Sequence, residues 1–315
     1  MRKSALNRKR AILPLALFFL QSVFIMVGAQ DLEPRILSPI PAGGNFAVAS
    51  YGYSSGNILL DNSLPIEDLQ ANLNNLAVAY ARSFRLATRL AKFDVVVPFS
   101  FAHFTGVVNS VDSTTSRTGF GDPLLRLSLV LIGNRAMNTE EFIKAEQTKF
   151  NLGLVLRLRP PLGQYDPHKL INLGTNRWST KLGVAASYRF RQRFILEGHF
   201  YSWLFSENSA FFNGNVLQQK PLFVTQLHAT YIFKPGLWLA VSGGRSFSGE
   251  TLVNGIEKND ERNAGRLGAA FSYRLSMHNA LKIAVTSGLS TRYGADFTSV
   301  LLAYQYLWFD KKQND

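Results

Sequence analysis

The chain reads as an all-β protein, an antiparallel transmembrane β-barrel of about twelve strands with a short periplasmic helix. Two observations predict it. An export signal opens the chain, and tracts alternating between apolar and small or polar residues recur behind it. Residues 150–158 display the pattern. Phe150, Leu152, Leu154, Leu156 and Leu158 share one face of an extended strand, while Asn151, Gly153, Val155 and Arg157 share the other. Side chains alternate faces along a strand, so one side is oily and the other small or polar.

The signal comes first. Arg2, Lys3, Arg8, Lys9 and Arg10 form a basic start, residues 11–27 are almost wholly apolar, and Val27-Gly28-Ala29 puts small residues before a cut. Residues 1–29 are therefore expected to be a signal peptide and residues 30–315 an outer-membrane barrel domain, with the mature chain starting at Gln30 or Asp31. An uncleaved anchor is the competing reading, since the apolar run is nearly long enough to span. The small-residue cleavage site favours the signal. No later stretch is long and uncharged enough for a transmembrane helix, so the mature chain is either soluble in the periplasm or crosses a membrane as strands. There is no cysteine, so stability in an oxidising compartment needs another source, and a closed hydrogen-bonded barrel supplies one. Five of the 34 basic residues fall in the signal, leaving 29 against 21 acidic residues and a net charge of +8. An exported protein rarely meets nucleic acid, so this excess points to anionic lipid head groups or anionic solutes.

Alternation and flanking turn residues then place the strands in order, near 45–55, 72–83, 90–101, 121–132, 147–159, 176–190, 193–205, 219–233, 236–247, 262–275, 280–291 and 297–309. The later ones keep strict parity. Trp178, Thr180, Leu182, Val184, Ala186, Tyr188 and Phe190 face lipid, and Arg177, Lys181, Gly183, Ser187 and Arg189 face the lumen. Leu267, Ala269, Phe271 and Tyr273 oppose Arg266, Gly268, Ser272 and Arg274, and the last strand turns Val300, Leu302, Tyr304, Tyr306 and Trp308 outward. Aromatics near strand ends suit interfacial girdles. With both termini periplasmic, the outside links 56–71, 102–120, 160–175, 206–218 and 248–261 are long, with only 292–296 short, and the inside links Arg191-Gln192, Lys234-Pro235 and Ser276 to Asn279 are tight. That asymmetry is the one such barrels have. One inside link, 133–146, is long, and its Thr139-Glu140-Glu141 signals a short helix on the periplasmic side. A soluble β-sandwich or lipocalin-like barrel shares the alternation but does not need so many outward Leu, Phe and Tyr. The tail from Asp310 to Asp315 is unusual, because many barrels end on the last strand's aromatic, here Trp308 or Phe309.

Three tracts carry a resemblance. They are Asp31-Leu32-Glu33-Pro34-Arg35 with Ser38-Pro39; Gly119-Phe120-Gly121-Asp122-Pro123; and Pro161-Leu162-Gly163-Gln164-Tyr165-Asp166-Pro167 followed by Lys169 to Trp178. Together they resemble the exported family labelled "putative MetA-pathway of phenol degradation", over nearly the whole mature chain. The resemblance implies a transporter-like outer-membrane protein. It carries over no catalytic residues.

The inward positions make the lumen basic: Arg126, Arg157, Arg159, Lys181, Arg189, Arg266, Arg274, Lys282 and Arg292, against Asp94 and Glu197. Charge on the lipid face is unfavourable, so these groups point inward or sit at the rim. They bias the lumen toward anionic or carboxylated solutes, or else pair and hydrate among themselves. The 160–176 loop is shaped by Pro160-Pro161, Gly163, Pro167 and Gly174 and carries Tyr165, Asp166, His168 and Lys169, with Arg177 next. It is expected to fold into the mouth as a constriction or binding surface, or to cap the barrel. Gly52-Tyr53-Ser54-Ser55-Gly56 matches G-x-S-x-G but lacks a following helix, and Gly119-x-Gly121 lacks the third glycine of a dinucleotide fingerprint. His199 and His228, with Glu197, point inward from neighbouring strands without any metal-binding spacing.

The function these residues predict is a channel or transporter for small, anionic or aromatic solutes. Its partners are outer-membrane lipid, a small-molecule solute and, during biogenesis, the barrel-assembly machinery; no enzymatic activity, cofactor or metal is expected. A plugged structural or adhesive barrel and an outer-membrane lipid hydrolase are the other two readings.

Overall fold

Alternation of the kind seen in residues 150–158 builds the whole wall. The computed structural model describes residues 32–59 and 66–310, so the expected signal at 1–29 lies outside the described residues. The strands are β1 (Gly44–Leu59), β2 (Ile66–Leu86), β3 (Arg89–Val108), β4 (Val111–Phe120), β5 (Leu124–Ile132), β6 (Phe150–Arg159), β7 (Ser179–Phe190), β8 (Phe194–Phe205), β9 (Asn208–Phe211), β10 (Asn215–Gln219), β11 (Leu222–Lys234), β12 (Leu237–Ser248), β13 (Thr251–Val253), β14 (Ile256–Glu257), β15 (Arg262–Arg274), β16 (Asn279–Thr291) and β17 (Gly294–Phe309). One helix, α1 (Thr139–Lys144), joins β5 to β6.

All neighbours in the main sheet are antiparallel, and the sheet closes on itself. It runs β2-β1-β17-β16-β15-β12-β11-β8-β7-β6-β5-β3-β4, and β2 also pairs with β3. Strands β4 and β5 share one stave of the wall: β5 pairs the near half of β3 and β4 the far half, which gives a closed barrel of 12 strands. Each expected strand is present. The seam is long, from Gly44↔Phe309 to Leu59↔Gly294.

The wall is apolar outside. In β17, Val300, Leu302, Tyr304 and Tyr306 are 43–47% exposed, while Leu301, Ala303, Gln305 and Leu307 between them are 2–5% exposed. A face of exposed Leu, Val and Tyr along every long strand suits lipid as the outer solvent. Rings gather toward both ends: Tyr80, Tyr306 and Trp308 near the chain termini, and a Phe200–Phe223–Phe247 stack toward the other rim. Among the described residues no helix is long and apolar enough to cross a membrane.

Three of the expected loops hold further strands. Within 102–120 the chain does not leave the sheet: β3 runs on to Val108 and returns as β4 through Asn109 and Ser110, both at positive φ. Its Asp112 to Thr118 stretch is polar on both faces, so no apolar stripe marked it as strand. Links 206–218 and 248–261 carry β9, β10, β13 and β14, which form a small separate sheet. The helix is where it was expected. Asn138 caps it, accepting from Glu141 N at 2.9 Å while the Glu141 carboxylate accepts from Asn138 N at 2.9 Å. It lies at the terminal end, where Ala42 N donates to Met137 O and Ala136 N to Thr88 O beside the tight β2–β3 turn. Asp310, first residue of the tail, is fixed there by Arg82 at 2.6 Å and Asn45 at 2.8 Å; residues 311–315 lie outside the described residues.

Candidate functional site

Strand register gathers the inward cations into a row. Asp94 of β3 is level with Arg126 of β5, Arg126 with Arg157 of β6, Arg157 with Lys181 of β7, and Lys181 with Trp203 of β8. Each is inward by parity, and each is 1–3% exposed. Arg126 donates to Asp94 through Nε and Nη2, at 2.7 and 2.6 Å. Lys181 Nζ lies 4.1 Å from the centre of the Tyr201 ring and 5.7 Å from that of Trp203.

Facing this row is a segment that belongs to no strand. Residues 32–41 precede β1 and are buried throughout. Glu33 accepts from Arg126 Nη1 at 3.2 Å and pairs with Arg157. Arg35 donates its backbone N–H to Glu197 of β8, its Nε to Ser38, and its guanidinium stands 5.2 Å from the Trp238 ring of β12. Lys92 of β3 donates to the carbonyls of Ile36, at 2.6 Å, and Ser38, at 3.1 Å. Leu32 lies against Gly244 of β12 and Gly268 of β15, and Leu37 against Gly153 of β6. Contacts with β3, β5, β6, β8, β12 and β15 span so much of the circumference that the segment must lie inside the barrel. Ile36, Leu37 and Ile40 join inward Val155, Ala185, Tyr201 and Trp203 in one apolar cluster. At this level the interior is packed rather than water-filled.

The predicted lumen residues divide accordingly. Arg126, Arg157, Lys181, Glu197, His199, His228 and Arg266 are all buried inside the wall around the segment, as is Lys282, 5.8 Å from the Trp238 ring. His228 bonds Ser242 Oγ at 2.8 Å and His199 at 3.2 Å. Among the described residues no three His, Cys, Asp or Glu side chains converge as a metal site would need. Arg159 lies beyond, 5.5 Å from the Trp203 ring, and Arg177 beyond that, 4.5 Å from the Phe205 ring. Arg189 and Arg274 sit apart, near the turns at the terminal end, Arg189 donating to Gln192 O and Arg274 packing on Gly236. Ser54 is buried within β1, so its G-x-S-x-G run forms no elbow.

The 160–178 loop enters the other mouth. Ile171 and Leu173 pack on the inward Leu69, Ala71, Leu73, Ala102 and Phe104 of β2 and β3, and Arg117 holds the Ile171 carbonyl at 2.8 Å. Asp122, between β4 and β5, anchors it. One carboxylate oxygen accepts from Gly163 N at 2.9 Å, the other from Thr175 N and Oγ1 at 2.8 and 2.7 Å. Gly121, Gly163 and Gly174 stack so closely that a Cβ on Gly163 would lie 2.6 Å from the Gly121 carbonyl carbon, and one on Gly174 2.7 Å from that of Gly163. The loop's own candidates face one another and the small sheet. Tyr165 donates to Ala210 O, and Asp166 pairs with Lys169 at 3.0 Å. The backbone N–H of His168, then Lys169, hold the Asp166 carboxyl below its ordinary range. Between the small sheet and β11, hydrogen bonds to Glu250 and Glu257 hold the half-buried Lys220 ammonium above its ordinary range.

Segment 32–41 and Asp122 were not foreseen as parts of the site. Both stood in family tracts, but neither has the alternation by which the lumen residues were found. Tyr201 and Trp203 were within reach of the same parity that picked Glu197 and His199.

A closed antiparallel barrel with an apolar outside and a polar, occupied inside defines the outer-membrane type of β-barrel. The chain belongs to the family described as "Putative MetA-pathway of phenol degradation", whose model matches residues 40–306. No curated protein matches it. Among solved structures, an outer membrane channel from Pseudomonas putida F1 has the same fold, with a TM-score of 0.76 and 20% identity over 88% of this chain and 100% of that one. The β domain of the Bordetella autotransporter BrkA follows at 0.48 and 12%, covering 85% and 100%, and the KdgM porin at 0.43 and 8%, covering 82% and 98%. These two are too distant to argue from.

Proposed function

We propose that the protein is an outer-membrane channel for small solutes, with residues 1–29 a cleaved export signal, residues 30–315 the channel, and segment 32–41 its stopper. One observation carries this reading: the sheet closes without the segment, which makes no strand pairing and is held by side chains alone along most of its length. Its withdrawal leaves the wall intact and uncovers a row of cations. Transport then needs no covalent step, only binding that is favourable on the way in and weak enough to release. A basic conduit favours anions. The likeness to an outer membrane channel supports the reading at the level of fold. A permanently plugged scaffold is the alternative, and the two differ in whether the segment moves.

A reversible staple tests that movement. Leu32 Cδ2 lies 2.9 Å from where a Cβ on residue 244 would stand, and the chain has no cysteine of its own. A Leu32→Cys/Gly244→Cys variant is therefore expected to form a single disulfide. In a planar bilayer the oxidised form should be silent, and reduction should restore discrete steps. Equal conductance in both states would show that the segment is no stopper; silence in both would mean a closed scaffold.

A further inference from the structure

The strongest unexplained feature is the surroundings of Glu33. In the row, three cations (Arg126, Arg157 and Lys181) face one wall carboxylate, Asp94, and the second carboxylate comes from segment 32–41 rather than the wall. Beside them stand two side chains whose polar atoms have no hydrogen-bond partner among the described residues: Tyr201 Oη and Trp203 Nε1. These residues are 0% and 2% exposed. Buried polar groups are nearly always bonded, and exceptions in a native interior call for an explanation such as a ligand that comes and goes. Both carry flat aromatic faces against Lys181.

We infer that Glu33 occupies the carboxylate-binding site of the conduit, and that a carboxylate solute opens the channel by taking its place between Arg126 and Arg157. This inference rests on the stopper reading above. At the Arg126–Arg157 site the exchange is one carboxylate for another, so the charge balance there is kept. Losing Glu33 with nothing in its place would leave buried guanidiniums short of an anion, which is strongly unfavourable. A neutral solute cannot relieve that, however well it fits the rings. A planar carboxylate matches the guanidinium forks. An aryl group on it would reach Tyr201 and Trp203, with their O–H and N–H available to a further oxygen.

The probe is benzoate, compared with benzyl alcohol as its neutral counterpart, in single-channel recordings of the full mature protein. Benzoate should raise the open fraction of the wild type several-fold and benzyl alcohol should not. In Glu33→Gln the open fraction should be high from the start, and benzoate should raise it no further. An equal response to both solutes, no response to benzoate, or undiminished benzoate opening in Glu33→Gln would overturn the inference. The wild-type comparison stands even if Glu33→Gln folds poorly. The stapled variant separates the two failures. If reduction opens it but benzoate leaves the wild type unchanged, the stopper stands and the carboxylate site falls. If reduction changes nothing, both fall.

Discussion

The barrel is filled from both ends, and the two fillers differ in their polar anchors. Segment 32–41 is bound by Glu33 to Arg126 and Arg157, by the Arg35 backbone N–H to Glu197, by Lys92 to two carbonyls, and by Ile36, Leu37 and Ile40 in an apolar cluster. The 160–178 loop is bound by one carboxylate on backbone N–H groups, by glycines in backbone contact, and by Ile171 and Leu173 on an apolar wall. Ionic contacts can be exchanged for other ions with little net change. Close backbone packing has no substitute in solution. In the channel proposed above, the Glu33 contact is the exchangeable anchor and the 160–178 loop the fixed one.

The first way to break this contrast is to unlock the fixed end. Asp122→Ala removes three hydrogen bonds to a buried carboxylate, and should lower stability by about 3 kcal/mol. Denaturant unfolding in detergent measures it. A loss near zero would mean that the loop is not locked and that the two ends are alike. The second leaves the loop alone and reverses charge near the releasing end. Lys181→Glu with Arg266→Glu should shift ion preference several-fold toward cations, read as the reversal potential in a salt gradient. Heat-modifiable mobility on gels confirms that the barrel is intact, and unchanged selectivity would sink the basic-lumen reading. The smallest effect sharpens the contrast within the loop itself. Asp166 is half-buried, and its lowered carboxyl pKa means that its contribution is present above the unfolded carboxylate range and lost as pH falls through the lower folded value. Asp166→Asn should leave the melting temperature at neutral pH within error, because solvent screens such a pair. A large drop would give the loop a second lock.

Alternation made most of this legible before any coordinates. It places all 12 staves of the barrel, and parity alone turns Arg126, Arg157, Lys181, Glu197, His199 and His228 inward. What it misses shares one cause. Glu33 meets Arg126 and Arg157 across 93 and 124 residues, and Arg35 meets Glu197 across 162. A short irregular segment has no period, so nothing local announces which wall it will touch. Asp122 likewise meets Gly163 and Thr175 across 41 and 53 residues. Its motif and theirs are visible as separate tracts, and only folding shows that they form one knot. The β3–β4 hairpin was missed for the opposite reason: it stands where neither face needs to be apolar.

The row from Arg126 to Trp203 has a shape that follows from the tilt of the strands. Register partners lie across the strands, and strands of such barrels lean about 40° from the axis, so a row of partners climbs the wall. With strands about 4.8 Å apart, each step from Arg126 to Arg157 to Lys181 rises roughly 3 Å. The cations therefore form a ramp rather than a ring. An anion drawn to a ring of cations would meet one deep trap, whereas on a ramp it would be shared between successive neighbours. In the channel proposed above, such a staircase would spread the attraction along the path instead of concentrating it at one level.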